Sequence, residues 1–358
     1  MLVLGAGASV AEALAHRPRR DGDHPPLDGN FFARAARRAR RDGSSSTGRA
    51  DLLRRIVLRA EELGQPDISG ASPSVSLEEH LGRLFYELNT AASVRNIESY
   101  YDLVRLYNNE LLDTTNWMVG RSGMIKRLIQ RELTTYGRVS VVTFNHDLLI
   151  ENALATIPSS RYGNVWCFRH CYGLPETMRR ISNATPRFEV DCPGAPDRHV
   201  PVFKMHGSCN WVYRTRNAYP SSQVARGNRE LLLWDNKEIA SSATKVGAAA
   251  GRRPWYMWPL IVPPVYEKHS YIRGELKQVW DGAAAALEDA TRVVFWGYSF
   301  PRADLHARYF FRGLAQRNPA LRAPLLINPD PHVQDELWAV LQPAMVAHYR
   351  DINAFLSV

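Results

Sequence analysis

Five short clusters in this chain combine glycine, amide, carboxylate and imidazole groups where apolar, β-branched runs give way to helical patterns. They begin at Gly5, Asn145, His206, Gly297 and Asn328. His206 is the general-base candidate, because an imidazole with an ordinary pKa of about 6.5 exchanges protons at neutral pH, and Gly207 leaves space beside the ring. Gly5-x-Gly7 after an apolar run lets backbone N–H groups approach a phosphate at the positive end of a helix. The third glycine of the dinucleotide fingerprint is missing, since Val10 holds its place. Two glycines can also simply make a tight turn. Asn145 and Asp147 are placed to hydrogen-bond a ribose or order a water, and Asp147 is equally suited to cap a helix starting at Leu148. His146 is expected on the opposite face from Asn145 if strand geometry persists. His269, His306 and His332 have no supporting constellation.

In an open α/β sheet, ligands bind beyond the carboxyl ends of the strands, and the common placement of the five clusters demands such a sheet. Strands are expected at 2–4, 139–144, 200–205, 292–296 and 325–327, with a further candidate at 258–262. Helices are expected at 10–15, 148–155, 272–287, 303–315 and 332–341. Between them, 31–41, 51–63, 76–88, 97–112 and 124–133 carry apolar residues at spacings of three and four, with Ser76-x-x-Glu79 and Asn96-x-Glu98 as opening signals. Residues 156–200, rich in Pro, Gly and Arg, receive no assignment. Apolar strands alternating with helices imply a parallel sheet covered on both faces. The expected fold class is therefore α/β, a Rossmann-like parallel sheet flanked by helices with a large helical insertion. The nucleotide-binding domain takes 1–30 and 137–358, and the helical module takes 31–136.

The chain has 358 residues, 45% of them hydrophobic and 23% charged, the balance of an ordinary folded protein. Its apolar runs are short or broken by Pro, far from the roughly 20 residues that span a bilayer. Residues 1–15 lack the basic start of a signal peptide and read as part of the fold. Four cysteines (Cys167, Cys171, Cys192, Cys209) do not make a disulfide framework, and no Cys-x-x-Cys pair exists to seat zinc, so no metal is expected and a reducing cytoplasm fits best. The net charge of +9 comes almost wholly from Arg rather than Lys, a skew that base composition produces. The sharper reading is that arginines between Arg17 and Arg59 bind nucleic acid or another polyanion. No zinc-finger, helix-turn-helix or RNA-binding signature accompanies them.

The ordered set GAGAS (from Gly5), TFNHDLLIE (from Thr143), KMHGS (from Lys204), IVPP (from Ile261), GYSFPRAD (from Gly297) and INPD (from Ile327) resembles the bacterial sirtuin-like NAD-hydrolase family, many of whose members are effectors of defence against bacteriophage. The resemblance spans almost the whole chain. It implies that NAD is the substrate and that Gly5, Ala6, Gly7 and Ser9 form a phosphate loop. Asn145 and Asp147 would face the nicotinamide ribose and its water, with His206 as the base. Gly297 and Ser299 would contact phosphates or ribose, and Asn328 and Asp330 the adenosine end. Asp304 matches the pattern too, in a role that can be structural. It further implies a homo-oligomer, or a partner ATPase or Argonaute-like protein. Deacetylase-type sirtuins carry two Cys-x-x-Cys pairs after the His-Gly motif, whereas here that region has only Cys209, which disfavours deacetylation and leaves cleavage of the nicotinamide bond untouched. Hydrolysis, cyclisation to a signalling product and non-catalytic sensing of NAD or ADP-ribose all remain open to such a pocket.

Overall fold

The computed structural model describes residues 1–16, 26, 28–42, 47–65, 68, 76–91, 93–118, 123–167, 170–172, 174, 179–181, 198–215, 230–234, 256–262 and 274–357. Arg17, Arg19, Arg20, His269, all of 182–197 and the second half of the IVPP motif lie outside these residues. The strands are β1 (Leu2–Leu4), β2 (Val141–Thr143), β3 (Arg179–Ile181), β4 (Val202–Lys204), β5 (Gly207–Thr215), β6 (Glu230–Trp234), β7 (Tyr256–Ile261), β8 (Val294–Trp296), β9 (Leu325–Ile327) and β10 (Ala347–Tyr349). The helices are α1 (Ala6–His16), α2 (Phe31–Asp42), α3 (Thr47–Glu62), α4 (Leu77–Thr90), α5 (Val94–Met118), α6 (Met124–Tyr136), α7 (Leu149–Ala155), α8 (Ser159–Tyr162), α9 (Glu275–Glu288), α10 (Leu305–Ala315), α11 (His332–Leu341) and α12 (Ile352–Leu356).

Six strands form one parallel sheet in the order β10-β9-β8-β1-β2-β4. Its inner strands are buried on both faces, which is why they read as unbroken apolar runs. The register is level: Leu4 pairs with Thr143 and Trp296, Thr143 with Lys204, and Trp296 with Ile327. All these strands therefore end on one line, and the turns that follow them share one edge of the sheet. The α/β class with a parallel sheet between helices is what the sequence pattern implied. A second sheet, β3-β6-β5-β7, pairs β5 antiparallel with both β6 and β7. It was not expected, beyond a strand near 258–262.

Two apolar cores result. One gathers the parallel sheet with α1, α6, α7, α9, α10 and α11. The other joins α2, α3, α4 and α5 with Leu148, Cys209, Val212 and Ile261. Within the stretch 31–136, α6 packs on the sheet side through Ile125, Leu128, Ile129 and Leu133. The buried carboxylate of Glu12 on α1 locks it there by accepting from the N–H groups of Gly123 and Ile125 at its start. The Ser76 hydroxyl caps α4 by accepting from Glu79 N at 3.1 Å, as its spacing predicts. Asn96 differs: α5 opens at Val94 with Ser93 as the acceptor, and the Asn96 amide instead donates to Ala91 O and Glu87 O, closing the end of α4.

Among the described arginines of the basic segment, Arg34 and Arg49 pair with Glu110, Arg38 with Asp113, Arg55 with Asp102 and Arg59 with Glu62. Much of that charge is thus neutralised within the helical module. Against the expectation of a reduced chain, Cys167 is disulfide-bonded, while Cys171 and Cys209 are buried thiols.

Inside the helical core, His80 contacts the Gln65 side-chain oxygen through Nδ1 and meets the Phe32 ring edge-on. Burial, and then the Arg59 charge, push its imidazole down to about 4. The unfolded chain binds this proton at about 6.5, so the stability that neutral His80 contributes is whole above that pH and is lost as pH falls toward 4. The shift corresponds to about 3 kcal/mol. Urea unfolding at pH 7 and pH 4.5 should show a loss on acidification that is smaller in His80→Gln by most of that amount. Equal losses in the two proteins would refute the assignment.

Candidate functional site

The turn after β1 lies directly on the turn after β8. Gly5 N donates to Trp296 O and Gly7 N to Gly297 O, each at 3.0 Å. A Cβ on Gly5 would sit 2.5 Å from Gly297 O, and one on Gly297, where φ is 64°, would sit 2.1 Å from Ala8 N. These glycines exist because two backbones touch with no side chain between them. The same contact lets α1 begin at Ala6 instead of near residue 10, with Ala6 and Gly7 exposed at its N-terminus.

On the other side of β1, Asn145 binds the same turn. Its Nδ2 donates to Gly5 O and to Ser9 Oγ, both at 2.9 Å, and Ser9 Oγ donates to Asp147 Oδ2 at 2.7 Å. The other oxygen of Asp147 accepts from Leu149 N at 3.1 Å, but α7 starts one residue later than anticipated, with Leu148 and not Asp147 at its N-cap. Both carboxylate oxygens of Asp147 are thereby engaged. Below the turn, fully buried Lys204 donates to the Asp147 carbonyl and pairs with Glu151 at 2.9 Å. Tyr172 donates to the same Glu151 oxygen at 2.8 Å.

Strand geometry does not persist beyond Thr143. The Thr143 hydroxyl donates to Leu4 O and accepts from Asn145 N, both at 3.1 Å, which bends the chain away from the sheet. The Asn145 side chain meets Gly5 and Ser9, whereas the His146 ring faces His206, with centroids 6.2 Å apart and planes at 29°.

His206 follows β4 and is buried, with Phe144 edge-on at 5.1 Å and Trp280 at 6.5 Å. Its Nε2 lies 3.2 Å from Oδ2 of Asp304, a carboxylate only 2% exposed. The other Asp304 oxygen accepts from Ala307 N and caps α10. A carboxylate so placed attracts the positive charge of a protonated ring. At Gly207 φ is 80° and a Cβ would stand 2.0 Å from Leu260 O, so its small size serves the β5–β7 contact.

Gly297 leads into Tyr298, stacked on Phe144 at 4.4 Å, and into exposed Ser299. Phe300 is held at φ 51° by burial among Phe295, Tyr298 and Phe311. Asn328 and Asp330 sit on the same sheet edge, one strand further out. Asn328 Oδ1 accepts from Asp330 N, and Asp330 Oδ1 accepts from His332 N, each at 3.0 Å, so these side chains shape the turn into α11. The structure thus joins Gly5, Ser9, Asn145, Asp147 and Gly297 directly, and brings His206 onto Asp304. Sequence reasoning missed the contacts of His146, Lys204 and Glu151 and the ion pair of His206 with Asp304, which matched the motif pattern only in a role that can be structural. Among the described residues, no group of three or more His, Cys, Asp or Glu could hold a metal ion, and no helix is long and apolar enough to cross a membrane.

No family model matches the chain, and no curated protein does. Among solved structures, it is similar to a Sir2 homologue in complex with NAD, at 14% identity over 99% of this chain and 85% of that one, with a TM-score of 0.43. A serine-to-alanine mutant of a Sir2 homologue with ADP-ribose gives 13% identity, 99% and 87% coverage and a TM-score of 0.41. Sir2 bound to an acetylated peptide gives 11% identity, 74% and 82% coverage and a TM-score of 0.37.

If the two glycine turns are held by backbone contact, Gly297→Ala should cost about 2 kcal/mol or more, from strain at positive φ and the forced separation. Gly313→Ala, inside α10 with open space around it, should instead be neutral or stabilise by up to about 1 kcal/mol. Thermal unfolding of both variants decides the matter, and equal midpoints would reject it.

Proposed function

We propose that this protein hydrolyses NAD to nicotinamide and ADP-ribose, and that it acts as an effector that depletes NAD during bacteriophage infection. The observation that carries the chemistry is the buried His206–Asp304 pair at the strand-end edge that also presents Asn145 and the exposed start of α1. The defence role rests on the ordered motif resemblance alone.

In this reading the positive end of α1, at Ala6 and Gly7, faces the pyrophosphate, because a helix N-terminus favours negative charge. Gly297 and Ser299 border the same region, with Asn328 and Asp330 toward the adenosine. Asn145, held rigidly through its amide nitrogen, holds the nicotinamide ribose or the attacking water. The bond from the ribose C1′ to the nicotinamide nitrogen breaks, and nicotinamide leaves as a neutral base with the bonding pair. Water adds to the oxocarbenium-like carbon, and His206 takes the proton that water loses. Asp304 stabilises the imidazolium so formed. Asp147 fixes Ser9 and α7 with one hydrogen bond on each oxygen and keeps acceptor capacity for the ribose or its water.

Nicotinamide release by purified protein tests this. A positioned base contributes roughly 10²–10⁴-fold in rate, so His206→Ala should lose about that much. Asp304→Asn retains a helix cap and should lower kcat by about tenfold or more with little change in KM, because it weakens only stabilisation of the charged ring. A His206→Ala protein as active as the parent would exclude the mechanism.

A further inference from the structure

His146 has both ring nitrogens engaged, and the partners define its proton. Nε2 lies 3.1 Å from the carbonyl oxygen of Val262, which can only accept, so Nε2 carries the hydrogen. Nδ1 lies 2.9 Å from the Tyr107 hydroxyl, which donates to it. Tyr107 belongs to α5 and packs edge-on against both Phe31 and His146. From His146 the contacts lead to the proposed base. Val262 N donates to His206 O at 2.8 Å, Cys209 N donates to His146 O at 3.0 Å, and the His146 ring lies on the His206 ring. The His206 carbonyl, through Val262, and Cys209, three residues further on, are thus tied to a single histidine, whose second nitrogen is held by α5.

Resting on the hydrolase reading, we infer that His146 and Tyr107 are positioning residues for His206, so that α5 of the helical module completes the active site. His146 transfers no proton. It presents one donor and one acceptor in a fixed plane and gives the base a wall to pack against. A change in the position of α5 would reach His206 through the Tyr107–His146 hydrogen bond and the His146–Val262–His206 links beyond it.

Steady-state NAD hydrolysis by the full chain tests the inference. Tyr107→Phe keeps the ring packing and removes only the hydroxyl, and should lower kcat by about 3- to 10-fold, the worth of one buried hydrogen bond, with KM for NAD within about twofold. His146→Leu should lose at least as much, and adding Tyr107→Phe to it should cost nothing further. His146→Gln, whose amide offers a donor and an acceptor but exchanges no proton, should restore most of the loss. A Tyr107→Phe enzyme as fast as the parent overturns the proposal, as does a His146→Gln enzyme as slow as His146→Leu. Imidazole nitrogen NMR of the parent at neutral pH gives a readout independent of turnover. It should find His146 protonated on Nε2 and bare on Nδ1, and a proton on Nδ1 overturns the proposal. A parent that releases no nicotinamide would sink the hydrolase reading, while the spectrum would still judge the hydrogen bonds assigned to His146.

Discussion

Where β1 passes into α1, no side chain separates its backbone from that of the turn after β8, and the remainder of the site is arranged around that contact. β1 has three residues and sits between β2 and β8. A strand so short cannot by itself aim the helix that follows. Its direction comes from Gly297 pressed against Gly5 and Gly7 on one side and from the Asn145 amide on the other. Each neighbour is itself at the end of a paired strand, so the level register of the sheet becomes the geometry of the edge. A side chain at any of these glycines would push α1 outward and carry Ser9 away from Asn145 and Asp147.

The same edge is braced from beneath by charge. Burying Lys204 and Glu151 has a large desolvation cost that a single contact would not offset. Here the ammonium also donates to the Asp147 carbonyl, and Tyr172 donates to the carboxylate, so the pair is embedded in a hydrogen-bonded network. Asn210 extends it by donating to the Tyr172 hydroxyl at 3.2 Å and accepting from Ser208. Such a network contributes little net stability and much definition: a displaced turn would strand a buried charge. It holds the Asn145–Asp147 turn from the side opposite to α1.

The parallel strands were legible because burial on both faces leaves an apolar, β-branched run that polar residues cannot interrupt, as in Val141 and Val142 or Leu325 and Leu326. The second sheet was not, because β5 mixes Cys209, Asn210, Trp211 and Arg214 without clean alternation and finds its partners far along the chain. Half-exposed β10 left no periodic mark either. Within the site, residue types were readable and partnerships were not. His206, Asn145 and Asp147 stood out by chemistry and position, but the ion pair with Asp304 spans nearly a hundred residues and joins two turns that only the fold brings together. Lys204 looked like a strand-end basic residue, although the tertiary structure encloses it completely.

His206 lies at the seam between the two cores. Phe144 and Trp280, which touch its ring, belong to the core of the parallel sheet. Tyr107, Leu148, Cys209 and Ile261, which surround the segments on either side of it, belong to the core of the helical module. A turn anchored in one core alone would keep its position when the other loosened. This one has Asn145 and Asp147 fixed to the sheet, while Leu148, the next residue, is packed into the helices. The geometry of this edge therefore depends on both cores being docked, and the helical stretch, which in the sequence reads as an insertion between two strands, is structurally part of the candidate site it interrupts.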